Sequence, residues 1–278
     1  MRSGFAAFVG RPNVGKSTLL NTILGTKVAI VSNKPQTTRT QVRGVLTTDE
    51  CQVVFVDTPG IHKPRTASGA RMNATASGVL GDVDVVCLVI DAAAPLGPGD
   101  RFIAERVPKG SFCVVNKIDV ASRDQVLTQL TAASQLEFDE YFPVSARTGE
   151  GIEALVDGVV ARLPEGPAYY PPETVTDVPD AFWVAELVRE QLLAIVHQEL
   201  PHSIACRVTE WEWPRVRCEI VVERDSQKGI VIGHQGSVLK AVGTAVRLQM
   251  EPGAHLELVV RVDKDWQRDA KALDRLGY

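Results

Sequence analysis

The fold of this chain is decided by one stretch, Gly10-Arg11-Pro12-Asn13-Val14-Gly15-Lys16-Ser17-Thr18. It matches the pattern G-x-x-x-x-G-K-[ST], follows an apolar run at residues 5–9 and leads into an apolar-periodic stretch at 19–24. A strand, a glycine loop and a helix form the context in which this pattern binds phosphate, because backbone N–H groups and the helix N-terminus face the anion. We expect Lys16 to reach the β- and γ-phosphates and the Ser17 hydroxyl to hold Mg²⁺.

A second motif, Asp57-Thr58-Pro59-Gly60, lies at the end of the strand-like run 52–56, 41 residues after the lysine of the phosphate loop. At a strand end, its aspartate is expected to bind Mg²⁺ and its glycine N–H to contact the γ-phosphate. The polar loop 27–40 contains Thr37 and Thr38. One of these hydroxyls is expected to complete the Mg²⁺ shell and sense the third phosphate. We name Thr38 as the candidate, although the sequence does not distinguish it from Thr37.

The identity of the base is indicated by Asn116-Lys117-Ile118-Asp119, which follows the apolar run 112–115. A carboxylate such as Asp119 can accept hydrogen bonds from N1–H and the 2-amino group of guanine, and adenine offers neither. A site built for such donors rejects a ligand that lacks them. Asn116 is expected to hold the loop and Lys117 to lie along the ring. The motif Ser145-Ala146-Arg147 is expected to contact guanine O6 through the backbone, with Ser145 and Ala146 as the candidate site residues. These residues favour a guanine nucleotide, GTP or GDP, over the substrates of P-loop kinases or ATPases.

The order of apolar and helical patterns predicts the architecture of the first half. Strand-like runs at 83–90 and 112–115 alternate with helical patterns at 98–107, 122–136 and 151–163. This alternation predicts a doubly wound α/β domain with a mostly parallel sheet, which binds its ligand at the carboxyl ends of the strands. We predict a nucleotide-binding domain over 1–165, a linker over 166–180 and a second domain over 181–278. Prolines at 164, 167, 171, 172 and 179 make the linker region stiff and non-helical.

The second half predicts an α+β domain with the element order α-β-β-α-α-β. Helical patterns at 180–199, 227–231 and 237–250 combine with strand patterns at 203–210, 216–223 and 255–262, and a last helix is predicted over 263–276. The sequence Gly233-His234-Gln235-Gly236 joins the paired helices, and this arrangement resembles a type II KH domain, which binds single-stranded RNA. The alternative is a helix–turn–helix whose glycines serve close packing. The candidate RNA-binding residues are Lys228, Gly229, Ile230, Ile232, Gly233, His234, Gln235, Gly236, Lys240 and Arg247.

Charge limits how such a domain can bind RNA. The chain has a net charge of −4, and residues 170–278 carry 13 Lys and Arg against 17 Asp and Glu. Residues 226–250 nevertheless contain no acidic residue and three basic ones. With about three phosphate contacts, we expect a shallow salt dependence, and base contacts should contribute more of the affinity. No binding to DNA is expected.

Cellular context is indicated by cysteine usage and hydropathy. The five cysteines form no C-x-x-C pair and most lie in apolar runs, as reduced thiols of a cytoplasmic protein do. The longest apolar stretches fall short of the roughly 20 residues that a membrane span needs. A cytoplasmic protein is therefore expected.

Together the motifs resemble those of the bacterial Era family, which belongs to the TrmE-Era-EngA-like, translation-factor-class GTPases. The resemblance rests on GRPNVGKST, PQTTR, DTPGIHKP, NKID and VSA, and in the second half on E-L-P-x-S, V-V-E-R and G-x-V-I-G-x-x-G. It implies binding of GTP and Mg²⁺, slow hydrolysis to GDP, and control of single-stranded RNA near the 3′ end of 16S rRNA during assembly of the small (30S) ribosomal subunit. It also implies a loose, peripheral association with the membrane, for which the sequence shows no anchor or polybasic tail.

The resemblance also raises a question about catalysis. Ile61 stands where Ras-like enzymes carry a glutamine that orients the attacking water, and an aliphatic side chain cannot do so. Asn13 resembles the asparagine that recruits K⁺ in potassium-activated relatives, so our hypothesis is that K⁺ placed there supplies the missing charge. The catalytic candidates are therefore Lys16, Asn13 and Thr38. His234-Gln235 replaces the Lys or Asn residues that family members often carry in the glycine loop.

Two other functions remain open at this point. The chain could be an RNA-binding scaffold whose nucleotide domain is largely structural. It could also be a GTPase that assists tRNA modification, although that family carries its GTPase within a larger helical protein with a cofactor domain, which we do not expect here.

Overall fold

The apolar runs around the phosphate loop form the sheet of the first unit in the structure, a computed structural model that describes residues 1–62, 66–196 and 200–278. Six strands lie in the order β2-β3-β1-β4-β5-β6. Strand β2 runs antiparallel to β3 and the remaining pairs are parallel. Strands β3, β4 and β5 are almost wholly buried, as continuous apolar runs in a parallel sheet require. The strand bounds are β1 Arg2–Val9, β2 Val42–Thr47, β3 Cys51–Asp57, β4 Val85–Asp91, β5 Phe112–Asn116 and β6 Glu140–Val144.

Helices connect these strands, and most of them follow the sequence prediction. Helices α1 Lys16–Leu24, α3 Pro98–Ala104, α4 Arg123–Ser134 and α5 Ile152–Arg162 confirm the predicted helical patterns, which start and end within a few residues of these bounds. Helix α2, Ala67–Gly78, was not predicted. Its sequence is rich in Ala, Ser and Gly and has no apolar period, and its buried apolar side chains are those of Met72 and Ala76.

The proline-rich segment after α5 is held against the first unit rather than extended away from it. The Val45 N–H donates to the Val175 carbonyl at 2.8 Å. Gln52, which is fully buried on β3, accepts from the N–H groups of Tyr169 and Tyr170 at 2.7 and 2.9 Å and donates to the Tyr170 carbonyl at 2.9 Å. The chain up to Asp177 accordingly belongs mainly to the first compact unit, and Val178–Tyr278 forms most of the second. The exact domain boundaries stay a prediction.

The second unit has the predicted order of elements, including the predicted last helix. Its bounds are α6 Asp180–Ile195, β7 Ala205–Glu212, β8 Arg215–Val222, α7 Asp225–Ile232, α8 Ser237–Arg247, β9 His255–Val262 and α9 Ala270–Arg275. The sheet order is β7-β8-β9, with β7 antiparallel and β9 parallel to β8. Alternate residues of β8, such as Val216 and Cys218, point into the core that includes Leu187 and Val246 of α6 and α8.

The last helix begins later than predicted. The sequence predicted it from Asp263, but it starts at Ala270, because Asp265 has a left-handed backbone with φ of 57° and Asp269 caps the helix through the Lys271 N–H. The intervening Trp266 is fully buried and donates its indole N–H to the Ser203 carbonyl at 3.2 Å.

Parts of two predictions lie outside the described residues. These are Lys63 and Pro64 of the DTPGIHKP motif and residues 197–199 at the end of the helix predicted over 180–199.

The Gln52 contacts generate a stability prediction. Replacing Gln52 with Ala leaves the Tyr169 and Tyr170 N–H groups without their acceptor, and we expect the free energy of unfolding of the first unit to fall by about 2–3 kcal/mol. Urea unfolding followed by circular dichroism measures this loss. Gln135→Ala, at an exposed helix end, is the control and should change it by no more than about 0.5 kcal/mol. Equal stability of the two variants would contradict the prediction.

Candidate nucleotide and RNA sites

The phosphate loop occupies the carboxyl end of β1, where the predicted site residues Gly10–Thr18 turn into α1. Gly15 has φ of +101°, and a Cβ on it would lie 2.3 Å from the Asn116 side-chain nitrogen, so both the backbone conformation and the space require glycine. The Lys16 Nζ donates to the Gly10 and Arg11 carbonyls at 3.3 and 3.1 Å. The Lys16 ammonium is therefore held by carbonyl groups of its own loop. Phosphate oxygens of a bound nucleotide would take the place of these carbonyls.

Lys16 is 6% exposed, and this burial changes its acidity. Burial lowers the pKa of Lys16 from 10.5 to about 8, and the nearby Asp57 carboxylate opposes the shift by favouring the charged form. Burial disfavours the charged ammonium. A polyphosphate ligand would stabilise this ammonium because the ligand carries the opposite charge.

Three predicted Mg²⁺ residues meet at one point. The Ser17 and Thr38 hydroxyls donate to Asp57 Oδ2 at 2.6 and 3.1 Å, and the two hydroxyls lie 2.9 Å apart. The Thr37 hydroxyl instead donates to the Lys34 carbonyl at 2.7 Å, so the structure brings Thr38 and not Thr37 to the cluster.

This cluster fits a hard divalent cation. Burial raises the pKa of Asp57 above 3.8, against the opposing effects of Lys16, Ser17 and Thr38, and Asp57 Oδ1 is buried with no hydrogen-bond partner among the described residues. Such a carboxylate oxygen beside two hydroxyls matches the oxygen ligands that Mg²⁺ prefers. Within residues 1–62, 66–196 and 200–278, no group of three or more His, Cys, Asp or Glu side chains is placed to hold a metal, so phosphate and water would complete the shell.

The loop after β3 packs directly on the phosphate loop. The Thr58 hydroxyl donates to the Phe8 carbonyl at 2.8 Å, and the Ile61 N–H donates to the Gly10 carbonyl at 3.1 Å. A Cβ on Gly60 would lie 2.6 Å from the Pro12 nitrogen. The Ile61 side chain is 6% exposed and belongs to the core cluster around β1 and β4, so it does not face the phosphates as a water-orienting side chain would.

On the base side, Asn116 ties three loops together. Its side-chain nitrogen donates to the Val14 carbonyl at 2.8 Å, and its side-chain oxygen accepts from the Ala146 N–H at 2.9 Å. The Lys117 Nζ lies 2.8 Å from the Asn13 carbonyl and 2.6 Å from Asp91 Oδ2. The predicted base-binding residues are thus brought next to the phosphate loop.

The carboxylate that is expected to read guanine is already oriented. The Ser145 hydroxyl donates to Asp119 Oδ1 at 2.8 Å, and the mainly exposed Arg147 pairs with Asp119 Oδ2 at 2.7 Å. Arg147 can swing into solvent and free that oxygen for a base, whereas Ser145, which is fully buried, fixes the other oxygen.

Two residues of the site, Asp91 and Asp100, were not predicted. Asp91 is the last residue of β4, at the edge of the sheet where ligands bind, so its position could have indicated it. Arg147 was predicted only as part of a backbone contact to the base, and its ion pair with Asp119 was not predicted. Asp100 is fully buried, accepts from Arg11 of the phosphate loop at 2.8 Å and from the Gly97 N–H at 2.9 Å, and no local signal links it to Arg11, 89 residues away.

The glycine turn of the second unit uses its two glycines differently. A Cβ on Gly233 would lie 2.5 Å from a methyl of Val238, so this glycine permits close packing of α7 on α8. Gly236 has φ of +77° and no atom of the described residues within 4 Å of its Cβ position, so its surface is open. The packing interpretation explains Gly233 and leaves Gly236 available to an approaching backbone.

The other RNA-binding candidates surround this turn. Ile230 is 57% exposed, whereas Ile232 packs against the core. His234, Gln235, Lys240 and Arg247 are exposed, and Lys228 is half-buried. Gln235 adopts a left-handed backbone with φ of 50°. Strand β9 forms one edge of the sheet and contacts α7 and α8, the helices that flank the glycine turn.

Comparison with known proteins identifies the family. Residues 5–117 match the family model described as 50S ribosome-binding GTPase, and residues 199–267 match the KH domain model. A protein named GTPase Era from Mycobacterium sp. (strain KMS) is 49% identical over 296 residues, covering 100% of this chain and 99% of that protein. This chain belongs to the Era family of GTPases. A relative of the same name from Mycolicibacterium smegmatis is 45% identical over 295 residues, covering 100% of this chain and 99% of that protein.

Solved Era structures confirm the predicted fold. A variant of Era from Aquifex aeolicus bound to GDP·AlF₄⁻ superimposes with a TM-score of 0.94 at 36% identity, over 100% of this chain and 99% of that one. A structure of Era in complex with MgGDPNP and nucleotides 1506–1542 of 16S ribosomal RNA gives a TM-score of 0.95 at 36% identity, with the same coverage. Membership of the Era family and the combination of a P-loop domain with a KH domain are therefore confirmed. The roles of individual site residues stay predictions.

Among the helices of the described residues, none is both long and apolar enough to span a bilayer.

The pKa of Lys16 predicts how nucleotide affinity depends on pH. Phosphate is expected to bind the charged form of Lys16, and burial lowers the pKa of Lys16 in the nucleotide-free protein to about 8. Affinity for GDP should therefore be nearly constant below pH 7 and should weaken by about tenfold between pH 7 and pH 9, as the ammonium loses its proton.

Isothermal titration calorimetry across this range measures the effect. Lys16→Met should bind more weakly and show a flat profile, which separates the lysine from ionisation of the nucleotide. A wild-type affinity that is unchanged up to pH 9 would contradict the prediction.

Proposed function

We propose that this chain binds GTP with Mg²⁺ and hydrolyses it slowly to GDP. The observation that carries the proposal is the convergence of the phosphate loop, the Asp57 cluster and Asp119 at one edge of the sheet, fixed by Asn116. Asp57, Ser17 and Thr38 would hold Mg²⁺, which supplies positive charge to the phosphates when it is bound. Lys16 binds the β- and γ-phosphate oxygens, and the Gly60 N–H contacts the third phosphate.

Catalysis in this proposal needs a source of charge other than a glutamine after Gly60. Ile61 is buried in the core and has no polar atom to orient water. Asn13 is exposed on the phosphate loop with a left-handed backbone, φ of 64°, and its carbonyl is held by Lys117. We propose that the Asn13 side chain would help to hold K⁺ at the phosphate loop, and the ion would supply positive charge there.

The potassium proposal predicts a salt-specific rate. At equal ionic strength, GTP hydrolysis should be about tenfold faster in KCl than in NaCl, and Asn13→Ala should remove the difference while GDP still binds. Phosphate release under single-turnover conditions measures this rate. Equal rates of the wild type in the two salts would refute the role of K⁺.

We propose further that the second unit binds single-stranded RNA of the 16S 3′ region. The proposal is supported by the similarity, over the whole chain, to the Era structure that holds nucleotides 1506–1542 of 16S rRNA. It is also supported by the open surface of Gly236 and by exposed Ile230, which can lie against a base. The basic strip within 226–250 favours the phosphates of the same strand.

In this account the nucleotide controls RNA binding during assembly of the small ribosomal subunit in the cytoplasm. A ligand shifts a conformational equilibrium only by its differential affinity for two states. We infer that Thr38 and Gly60 would sense the third phosphate and that the segments carrying them would change state. Binding of GTP would favour the RNA-holding form, and hydrolysis would favour release.

The switch predicts that RNA affinity depends on the nucleotide. An oligonucleotide from the 16S 3′ end should bind about tenfold more tightly with MgGDPNP than with GDP. Fluorescence anisotropy with a labelled RNA measures both constants. Equal affinities with the two nucleotides would contradict the switch.

A pair of glycine variants tests where the RNA binds. Gly236→Asp places a carboxylate at the open turn and should weaken RNA binding by at least about tenfold in both nucleotide states. The matched control is Gly253→Asp, because Gly253 also has a left-handed backbone, φ of +95°, and a Cβ position clear of the other described residues. Unchanged RNA binding in Gly236→Asp, or an equal loss in both variants, would contradict a site at the glycine turn.

A further inference from the structure

A groove in the second unit is lined by three tryptophans. Trp183 lies on α6, and Trp211 and Trp213 lie at the tip of the β7–β8 hairpin. Met250, just after α8, completes the apolar wall, and the volume is about 330 Å³. We call this feature the tryptophan groove. Trp211 and Trp213 are 39% and 47% exposed, which is a large indole surface to leave in contact with water.

The tryptophan groove lies away from the glycine turn, and Arg247 is the candidate RNA-binding residue nearest to it in the sequence. Helix α8 begins next to the glycine turn and ends at Arg247, and its 11 residues span about 16 Å. The groove lies beyond the C-terminal end of this helix, near Met250. A ligand in the groove would therefore occupy the opposite end of α8 from a strand held at Gly236.

The groove is supported by the packed core of the unit, and a further exposed apolar side chain follows α8 in the sequence. Trp183 packs against the main core of the unit, and Val184 beside it is 4% exposed. Leu248, at the end of α8, is 83% exposed. Exposed apolar surface supported by a packed core is typical of interaction sites, and tryptophan is enriched among residues that dominate binding energy.

The charge of the tryptophan groove indicates the kind of partner. Its charged lining residues are the exposed carboxylates Asp180 and Glu251, and among the described residues no Lys or Arg lines it. Polynucleotide binding needs cations for the phosphates, so this lining disfavours RNA although indoles can stack on bases. A cationic segment is favoured.

Arg217 of the β7–β8 hairpin does not offset the negative charge of the tryptophan groove. Trp211 pairs in register with Val216, which points into the core between the sheet and the helices, so Trp211 lies on that face. Arg217 is adjacent to Val216 and therefore points to the other face, where it pairs with Glu210 and Glu257 at 2.8 and 3.6 Å.

We propose that the tryptophan groove binds a basic peptide segment of a partner protein. One large apolar side chain of the segment lies among Trp183, Trp211 and Trp213, and flanking Lys or Arg residues pair with Asp180 and Glu251. The volume suits one or two side chains rather than a whole domain. This interaction requires neither nucleotide nor RNA, so it goes beyond the proposed switch and can be tested separately from it.

The test is selection from a random dodecapeptide display library on the full chain, with counter-selection on the double variant Trp211→Ser, Trp213→Ser. Both side chains are exposed, so the variant should fold. We expect enriched peptides to combine an excess of Lys and Arg with at least one Trp, Phe, Leu or Met. No enrichment over the double variant, or enrichment without basic residues, would overturn the proposal.

Charge variants then test the pairing. Anisotropy with the most enriched peptide, fluorescein-labelled, should show about fivefold weaker binding to Glu251→Lys at low salt. The matched control is Glu257→Lys, an exposed carboxylate on the other sheet face, which should stay within about twofold of the wild type. Equal effects of the two variants would overturn the proposal.

A decameric oligouridine serves as the competing probe. It should not displace the labelled peptide at concentrations that saturate the RNA-binding face. Displacement that persists in Gly236→Asp would show that the groove binds single-stranded RNA instead, and would overturn the peptide assignment.

Discussion

The side-chain amide of Asn116 is the contact on which the nucleotide site depends. It is 1% exposed, donates to the Val14 carbonyl of the phosphate loop and accepts from the Ala146 N–H of the loop after β6. The amide provides both the donor and the acceptor that these two contacts need. A carboxylate of the same shape would place an acceptor oxygen against the Val14 carbonyl, which is itself an acceptor. The lack of a Cβ on Gly15 makes room for the amide. Loops that are far apart in the sequence are thereby held in their binding arrangement before a ligand arrives, which reduces the ordering cost of binding.

The same site holds two charged groups at a cost to the stability of the fold. Burial lowers the pKa of Lys16 and raises that of Asp57, so in each case the surroundings disfavour the charged form. The two groups partly compensate each other, but Asp57 Oδ1 has no hydrogen-bond partner in the described part of the chain. A polyphosphate and a divalent cation carry the complementary charges. In the proposed function, a bound magnesium–nucleotide complex would relieve the unfavourable burial of these two charged groups, which would favour such a ligand over a neutral one.

Much of the site could be predicted because its motifs are short linear patterns at strand ends, and parallel strands bring their carboxyl ends to one edge. The choice between Thr37 and Thr38 could not, because both lie in a loop without periodicity and their hydroxyls differ only in where the backbone turns them. The pairing of Arg11 with Asp100 joins residues 89 apart by a contact that no local pattern encodes. Helix α2 was missed because Ala, Ser and Gly give no hydrophobic period, and its buried Ala76 joins a core cluster with residues of β1 and β5 that are distant in the sequence.

We propose that Asp119 reads a guanine base in a site assembled by Asn116, and changing the hydrogen-bond pattern of the residue 119 side chain is the sharpest test of this role. Xanthine presents a carbonyl where guanine has its 2-amino group, so Asp119→Asn offers the donor that xanthine needs. Competition between GTP and XTP, measured as the ratio of dissociation constants, should show a preference for GTP of at least about a hundredfold in the wild type and a reversed preference in the variant. A variant that keeps its preference for GTP, with unchanged affinity, would show that the base is recognised elsewhere and would contradict the account.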